Sequence, residues 1–549
     1  MRGRDVFLDS LRAHGVDRIF GNPGTTESPL IDHLADYPDI GYVTALHEGV
    51  AVGAASFYAQ ASGKTGVANV HVAPGLGNGL GMVYSALKAN APLIVTAGQQ
   101  DTRMRLRAPL LGHDLAAMAA PVTKWSVQVE RADEMADIMR RAFKIAHDPP
   151  FGPVFVALPI DVMEQETEIG ARPAGPLYRA PAPDPDALRI AAEKLSAAAS
   201  PVIVAGDDVA RAGAGQALEA LAAALGAPIW VEGLRAQAVV ASRHPLFRGA
   251  LPFDAGAIRK AFDGADCILL VGGPFFEEVW HDAAHPFPAG ATILQIEESP
   301  PRLAANYALD LGMIAGVRPA LLALAAAVAP DASAAAARAK ALAARQEEAI
   351  AGQRARAERA AARRPMAMAV AMAALADGLP ENAVVVEEAI TANIDFARSV
   401  AVAGVGAYYS GRGGGIGQGL AGAIGVAVAK PDRPVVCVSG DGSAMYSIQA
   451  LWTAAHHGLD IVFVILSNRE YRVLKHNIDV YRGRFGVESN RGYAHMDLVG
   501  PDLGFVEMAR GMGVAAERIT EPDAFRDALA RACATPGPAL IELAIEGKS

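Results

Sequence analysis

Two apolar runs, "RPVVCVSG" and "IVFVILSN", lead directly into Asp441 and end on Asn468. The stretch joining them reads as a tight glycine turn, a helix "SAMYSIQALWTAAHHG" and the second strand. In a parallel α/β unit successive strands point the same way, so their C-terminal ends share one edge of the sheet. A carboxylate and an amide oxygen then face one crevice. Hard oxygen donors of this kind suit Mg²⁺ (or Ca²⁺), which combines a few protein oxygens with phosphate oxygens. Gly440 and Gly442 let the backbone approach a phosphate, and a helix N-terminus starting near Ser443 favours its negative charge. Taken singly, Asp441 reads as a helix cap and Asn468 as a turn residue. Taken together they predict a diphosphate–metal site, in a crevice with little other positive charge.

Two further residues stand out by context. In "ALHEGVAVGAA", Glu48 is the one acid in an otherwise apolar, small-residue helix, and a buried acid needs a partner; a first-turn Glu is also favoured by the helix dipole. His71 closes the strand "NVHV" beside a glycine loop, where a group titrating near neutrality can exchange protons. One motif is set aside. "GQGLAG" (417–422) fits the dinucleotide fingerprint G-x-G-x-x-G, but "AYYSGRGGGI" precedes it instead of an apolar strand, so a nicotinamide site is rejected.

These residues must be carried by a large α/β framework. The 549 residues are 52% apolar and 20% charged, with a net charge of −10 and no basic run interleaved with aromatics; nucleic acid is excluded as a partner. Cys267, Cys437 and Cys533 are far apart in apolar segments, the usage of a reducing compartment. The N-terminus reads as an amphipathic helix and a strand, not a signal peptide, and no stretch is long and apolar enough to span a bilayer. A soluble cytoplasmic protein is expected.

Short apolar runs alternate with helical stretches in three blocks, which predicts three doubly wound parallel-sheet domains. The first covers 1–169, the second 187–330 and the third 365–549. A Pro/Ala-rich linker (170–186) and an Ala-rich exposed helix join them. The first and third blocks are alike in style, suggesting a ligand bridging the two.

In this setting Asp441-Gly442, followed about 25–30 residues later by Asn468, matches the thiamin-diphosphate motif. Nearly the whole chain resembles the thiamin-diphosphate-dependent 2-oxo acid decarboxylase family, on its benzoylformate decarboxylase branch. The resemblance rests on "GNPGTTESP", "ALHEGVAVG", "FYAQASGK", "NVHVAPGLGN", "PLIVTAGQQ", "RHPLFRG", "AYYSGRGGGIG" and "GDGSAMYSIQALWTAA". It implies pyrimidine-binding, central and diphosphate-binding domains, with the cofactor between two subunits of a homodimer usually paired into a tetramer. The metal ligands would be Asp441, Asn468 and the Glu470 carbonyl. Glu48 would meet the aminopyrimidine, and Ile416 would wedge under the cofactor. Backbone of Gly414 and Ile416 would pair with the pyrimidine edge, while Thr391, Gly440, Gly442 and Ser443 would contact the diphosphate; Asn78 and Tyr471 complete the cofactor set.

His71 is the implied catalytic histidine, and Thr25 stands where the family has serine. The family's second histidine falls on Val279. His281, two residues on, and His113, placed as in pyruvate-type decarboxylases, are its candidate replacements; a plain surface-loop role is the alternative for His281. The implied substrate pocket takes Leu110, Leu111, Ser410, Arg412, Val473 and Asn477, more polar than its family counterpart. The implied reaction is nonoxidative decarboxylation of an aromatic or bulky 2-oxo acid to aldehyde and CO₂. The alternative is C–C lyase or ligase chemistry with the same cofactor, on a 2-hydroxyacyl-CoA or on two aldehydes. A noncatalytic cofactor-binding homologue is disfavoured by Glu48, Asp441 and Asn468 all being in place. Nothing in the central block signals an FAD site.

Overall fold

A computed structural model describes residues 1–277, 279–283 and 285–547; positions 278 and 284 of the expected second domain and the last two of the third lie outside the described residues. The chain forms three six-stranded sheets. The first contains β1 (Arg18–Gly21), β2 (Gly41–Thr44), β3 (Gly66–Val70), β4 (Leu93–Gln99), β5 (Trp125–Gln128) and β6 (Pro153–Pro159), in the order β2-β1-β3-β4-β6-β5. The second contains β7 (Pro201–Ala205), β8 (Ile229–Val231), β9 (Phe247–Ala250), β10 (Cys267–Val271), β11 (Thr292–Glu297) and β12 (Leu311–Ile314), ordered β12-β11-β10-β7-β8-β9. The third contains β13 (Val384–Glu388), β14 (Tyr408–Ser410), β15 (Val435–Gly440), β16 (Ile461–Ser467), β17 (Ala515–Ile519) and β18 (Ala539–Ala544), ordered β14-β13-β15-β16-β18-β17. The first and third sheets share one strand order, which gives their likeness in sequence style a topological basis.

Central strands such as β3, β4, β7, β10, β13 and β16 are buried along their whole length. That is why they read as unbroken apolar runs: helices cover a parallel sheet on both faces. Edge strand β17 instead exposes Ala515, Glu517 and Arg518, a charged rim that discourages pairing with another chain. The Ala-rich segment is a 29-residue helix, Ala332–Ala360, and the three cysteines are unpaired thiols. No helix among the described residues is long and apolar enough to cross a membrane.

Two compact units result. One comprises residues 1–176, 359–396 and 410–549; the other comprises 177–358 and 397–409. The first sheet and strands β13 and β15 to β18 of the third thus belong to one body, held by close approach of the helices Glu48–Ser62 and Gln418–Ala429. Small residues make that approach possible. A Cβ on Gly53 would stand 2.8 Å from Ala421 Cβ, one on Gly422 would stand 2.6 Å from the Phe57 ring, and one on Gly425 would strike the Ala54 carbonyl.

The rejected fingerprint finds its physical role here. Gly417 (φ +91°) caps the Gln418–Ala429 helix. The first amides of that helix point at a carboxylate from inside the protein: Glu388 Oε1 accepts from the amides of Gly417 (2.8 Å) and Gln418 (3.0 Å), and Oε2 from Gly419 (2.7 Å). Helix N-termini attract anions, and this one holds its own.

Burial pushes the Glu388 carboxyl up to about 7 against the opposing pull of those three amides. Its folded pKa therefore lies above the unfolded value near 4.5, so the native state binds the extra proton between these limits. Stability contributed by the neutral form is full below about pH 4.5 and is lost as pH rises toward 7, by roughly 3 kcal/mol. Glu388→Gln, which cannot ionise, is expected to flatten the fall in urea midpoint between pH 5 and 7. An unchanged slope would show that Glu388 does not titrate there.

Candidate active site

β15 and β16 pair in parallel, Gly440 opposite Leu466. Asp441 follows the last residue of β15, and Asn468 follows Ser467, the last residue of β16, so the sequence places them on one edge and the fold keeps them there. The Asp441 carboxylate, 4% exposed, accepts from the Gly442 amide (2.8 Å) and the Arg469 amide (2.6 Å). No side-chain cation pairs with it among the described residues, and burial raises its pKa. Asn468 Oδ1 accepts from the Glu470 amide (3.1 Å). Arg469 between them has φ +58°, an αL kink that a non-glycine residue adopts only under local constraint. The Glu470 side chain is clasped by Lys475, whose Nζ also meets Asp497 at 2.6 Å, and the 469–471 backbone pairs with 496–498. This loop is braced on both sides.

Two local expectations are corrected. The helix after Asp441 starts at Asp441 itself, not near Ser443, with Gly440 as cap, and it ends at Ala444. A second helix spans Ala450–His456; between them the chain tightens into i→i+3 bonds such as Tyr446 N to Ser443 O and Ala450 N to Ser447 O. There Tyr446 packs against the cap Gly417, where any Cβ would meet it at 2.6 Å. The crevice is also not short of positive charge. A cavity of about 360 Å³ beside Asp441 is lined by Arg469, Arg510 and Arg518. Acids distant in sequence balance them: Arg469 meets Asp502 at 3.0 Å and Arg518 meets Glu542 at 3.5 Å.

Of the other residues expected at the cofactor, Gly440 opens onto free space, while the Tyr471 ring covers Gly442, where a Cβ would lie 2.5 Å from it. Ser443 is buried, Thr391 and Ile416 are half-buried, and Gly414 (φ +75°) is exposed in the glycine loop before the Gln418–Ala429 helix.

At the first sheet, Glu48 opens the Glu48–Ser62 helix, capped by His47, and is 7% exposed. Asn22 Nδ2 donates to its Oε1 (3.3 Å) and Asn78 Nδ2 to its Oε2 (3.0 Å). These amides are the partners that a buried acid requires. Gly75 packs against the same carboxylate, a Cβ there lying 2.9 Å from Oε1. His71 follows β3 and is the N-cap residue of the Val72–Lys88 helix. The next residue, buried Val72, has φ +40°, a strained elbow for a β-branched residue.

Sequence reasoning missed the residue that governs His71. Glu27, 2% exposed, lies 2.7 Å from His71 Nδ1 through Oε2. The carboxylate also accepts from Gly24 N (2.9 Å) and Gly98 N (2.7 Å). A carboxylate on Nδ1 fixes the tautomer with the proton on Nδ1, which leaves Nε2 as the basic nitrogen. The fold supplies the link: β1 and β3 pair in parallel, so the turn after β1 reaches the strand edge where His71 stands. Thr25 is exposed at the start of that turn.

The remaining candidates are dispersed. His113 is exposed, and its carbonyl accepts from Gln99 Nε2 at 2.6 Å and from Leu115 N at 3.0 Å. His281 and Val279 are exposed in the other unit. Leu110 is almost fully exposed and Leu111 half-buried; Val473 and Asn477 are half-buried on the Arg472–Phe485 helix. Ser410 donates its hydroxyl to the Glu387 carbonyl (3.0 Å), and Arg412 is buried at 1% exposure, its guanidinium inside the fold. A polar pocket built from these two side chains is not displayed on the surface.

The donor chemistry was tested against a bound metal. No group of three His, Cys, Asp or Glu among the described residues could hold an ion. The Asp441 carboxylate, the Asn468 amide oxygen and the Glu470 carbonyl are nonetheless hard oxygens of the sort that Mg²⁺ accepts alongside phosphate. A buried carboxylate lacking a cationic partner fits a bound cation.

Residues 1–118 match the N-terminal TPP binding domain of thiamine pyrophosphate enzymes, 188–324 the central domain and 391–543 the C-terminal TPP binding domain. The chain is 34% identical to benzoylformate decarboxylase of Pseudomonas aeruginosa, covering 97% of both chains. It is 26% identical to the acetolactate synthase isozyme 3 large subunit of Escherichia coli, over 97% of this chain and 92% of that one. The solved thiamine diphosphate-dependent 4-hydroxybenzoylformate decarboxylase of Rhodococcus jostii RHA1 superposes with a TM-score of 0.87 at 28% identity, covering 100% of both chains.

Proposed function

The chain belongs to the thiamine pyrophosphate enzymes, and on that premise we propose that it decarboxylates an aromatic or bulky 2-oxo acid, without oxidation, to an aldehyde and CO₂. The observation that carries this reading is the Glu27–His71 pair, with His71 one helical turn before Gly75, which packs on the Glu48 carboxylate. A proton donor must serve the carbon that loses its carboxylate, and a histidine oriented by a buried acid is suited to that.

When bound, thiamin diphosphate supplies an electron sink for the bond that breaks. Asp441, Asn468 and the Glu470 carbonyl would hold its metal, Mg²⁺ or Ca²⁺, and Gly440, open to free space, would admit the diphosphate. Glu48, steadied by Asn22 and Asn78, presents a carboxylate to the aminopyrimidine. His71 Nε2 moves a proton to or from the substrate carbon, with Glu27 holding the ring. The protein acts as a homodimer or homotetramer in the cytoplasm. Large apolar side chains left exposed on one unit, among them Leu106, Leu110, Ile394 and Phe485, support burial against a second copy.

Sequence similarity to acetolactate synthases favours a second reading, in which the same site joins two carbonyl compounds. Incubating the holoenzyme with a panel of 2-oxo acids, and scoring CO₂ and free aldehyde against coupled hydroxyketone, distinguishes them. Aldehyde in step with CO₂ supports decarboxylation; hydroxyketone as the main product overturns it. Asp441→Ala is expected to lose thiamin diphosphate on gel filtration in the presence of Mg²⁺. Full retention would refute the metal assignment.

A further inference from the structure

The second unit carries a cavity that the proposed reaction does not use. Its sheet order reverses between β7 and β10, the switch point where open α/β sheets take nucleotides. Here that point is closed. A Cβ on Gly206 would strike the Gly272 carbonyl, Asp207 accepts from Ala236 N (2.9 Å), and Asp208 is paired with Arg211 (3.2 Å) and Arg302 (3.0 Å). Backbone contact and two buried acids exclude a diphosphate.

One strand away, between β10 and β11 and the loops that follow them, lies a cavity of about 330 Å³. Phe275, Phe276, Tyr307 and Leu309 wall it, and Glu277, Glu297 and Arg302 stand on the polar side. Its loops are tied in place: Asn306 Nδ2 donates to the Phe275 carbonyl (3.0 Å) and Ala304 N to Gln295 Oε1 (3.0 Å), and the Phe276 and Tyr307 rings meet edge to face at 5.6 Å.

Glu297 is fully buried. Its Oε1 accepts from Gly273 N (2.9 Å) and Gln295 Nε2 (3.3 Å). Its Oε2 has no hydrogen bond, and Arg302 Nη1, engaged by Asp208 and the Gly273 carbonyl (2.6 Å), stays 3.9 Å away. A buried acceptor without a donor is costly.

We propose that this cavity binds a small neutral aromatic molecule carrying one O–H or N–H donor, its ring among Phe275, Phe276 and Tyr307 and its donor on Glu297 Oε2. The charged groups of the lining select against an anion, which would meet Glu277 and Glu297, and Arg302 opposes a cation. Burial, which pushes the Glu297 carboxyl up to about 7, marks the same apolar surroundings.

Benzyl alcohol and its donor-less analogue benzyl methyl ether are the probes, titrated by calorimetry into the holoenzyme. Saturable binding of benzyl alcohol, at least about tenfold tighter than the ether, is expected. Glu297→Leu should erase that difference. Ala305→Trp, at an exposed position on the cavity wall, should remove the binding while circular dichroism stays unchanged. Benzyl alcohol binding untouched by Ala305→Trp, equal binding of the two probes to the wild type, or no saturable binding would each overturn the proposal.

Discussion

Glu48→Gln slows turnover by about 10²–10⁴-fold while thiamin diphosphate remains bound. The range is that of a positioned acid–base group, and the argument rests on what glutamine keeps and loses. Its amide oxygen still accepts from one of the two asparagines at 3.3 and 3.0 Å, so the side chain stays seated at the helix start. Its NH₂ group turns a donor toward the other asparagine and cannot hold a proton for the pyrimidine ring nitrogen. Exchange of the C2 proton of bound cofactor, followed by NMR after acid quench, should slow together with turnover. A loss of only a few-fold would make Glu48 a structural helix acid.

His71→Ala costs at least about a hundredfold in single-turnover decarboxylation, as befits loss of a proton-transfer group. Glu27→Gln is the companion test. It leaves the imidazole present but unfixes its tautomer, so roughly ten- to hundredfold should be lost, with a displaced pH–rate profile that a purely structural role would not produce. His113→Ala and His281→Ala are expected to be unequal, because one second histidine suffices. If all of these variants keep near-normal rates, protons reach the substrate carbon by another route and the decarboxylation scheme fails.

The two halves of the candidate site differed in how openly the sequence displayed them. Asp441 and Asn468 were legible because unbroken apolar strands end beside them, and parallel pairing then leaves little choice about where they stand. Glu48 was legible as a lone acid among alanines, valines and glycines. Glu27 was not, since an acid in "GTTESP" looks like any first-turn helix residue; its meaning comes from Gly24, Gly98 and His71 closing around it. The broken helix after Asp441 escaped notice for a similar reason. "SAMYSIQALW" has ordinary helical composition, and the break at 445–449 accompanies contact with Gly417, which no local pattern encodes. The arginines near Asp441 lie in segments around 469 and 510–518, and only strand order brings them together.

The interlock of the Glu48–Ser62 and Gln418–Ala429 helices bears on how the chain is made. About 350 residues separate the two helices, and a ribosome adds roughly 5–20 residues each second. The face bearing Gly53, Ala54 and Phe57 therefore waits on the order of twenty seconds to a minute for its mate, while the second unit, complete by residue 409, has emerged and can fold. Throughout that interval one face of the helix stays uncovered, while its other side can already pack on β3 and the Val72–Lys88 helix. Slowing translation downstream of residue 62, or depleting holdase chaperones, should then lower the yield of active protein without altering the stability of the molecules that finish.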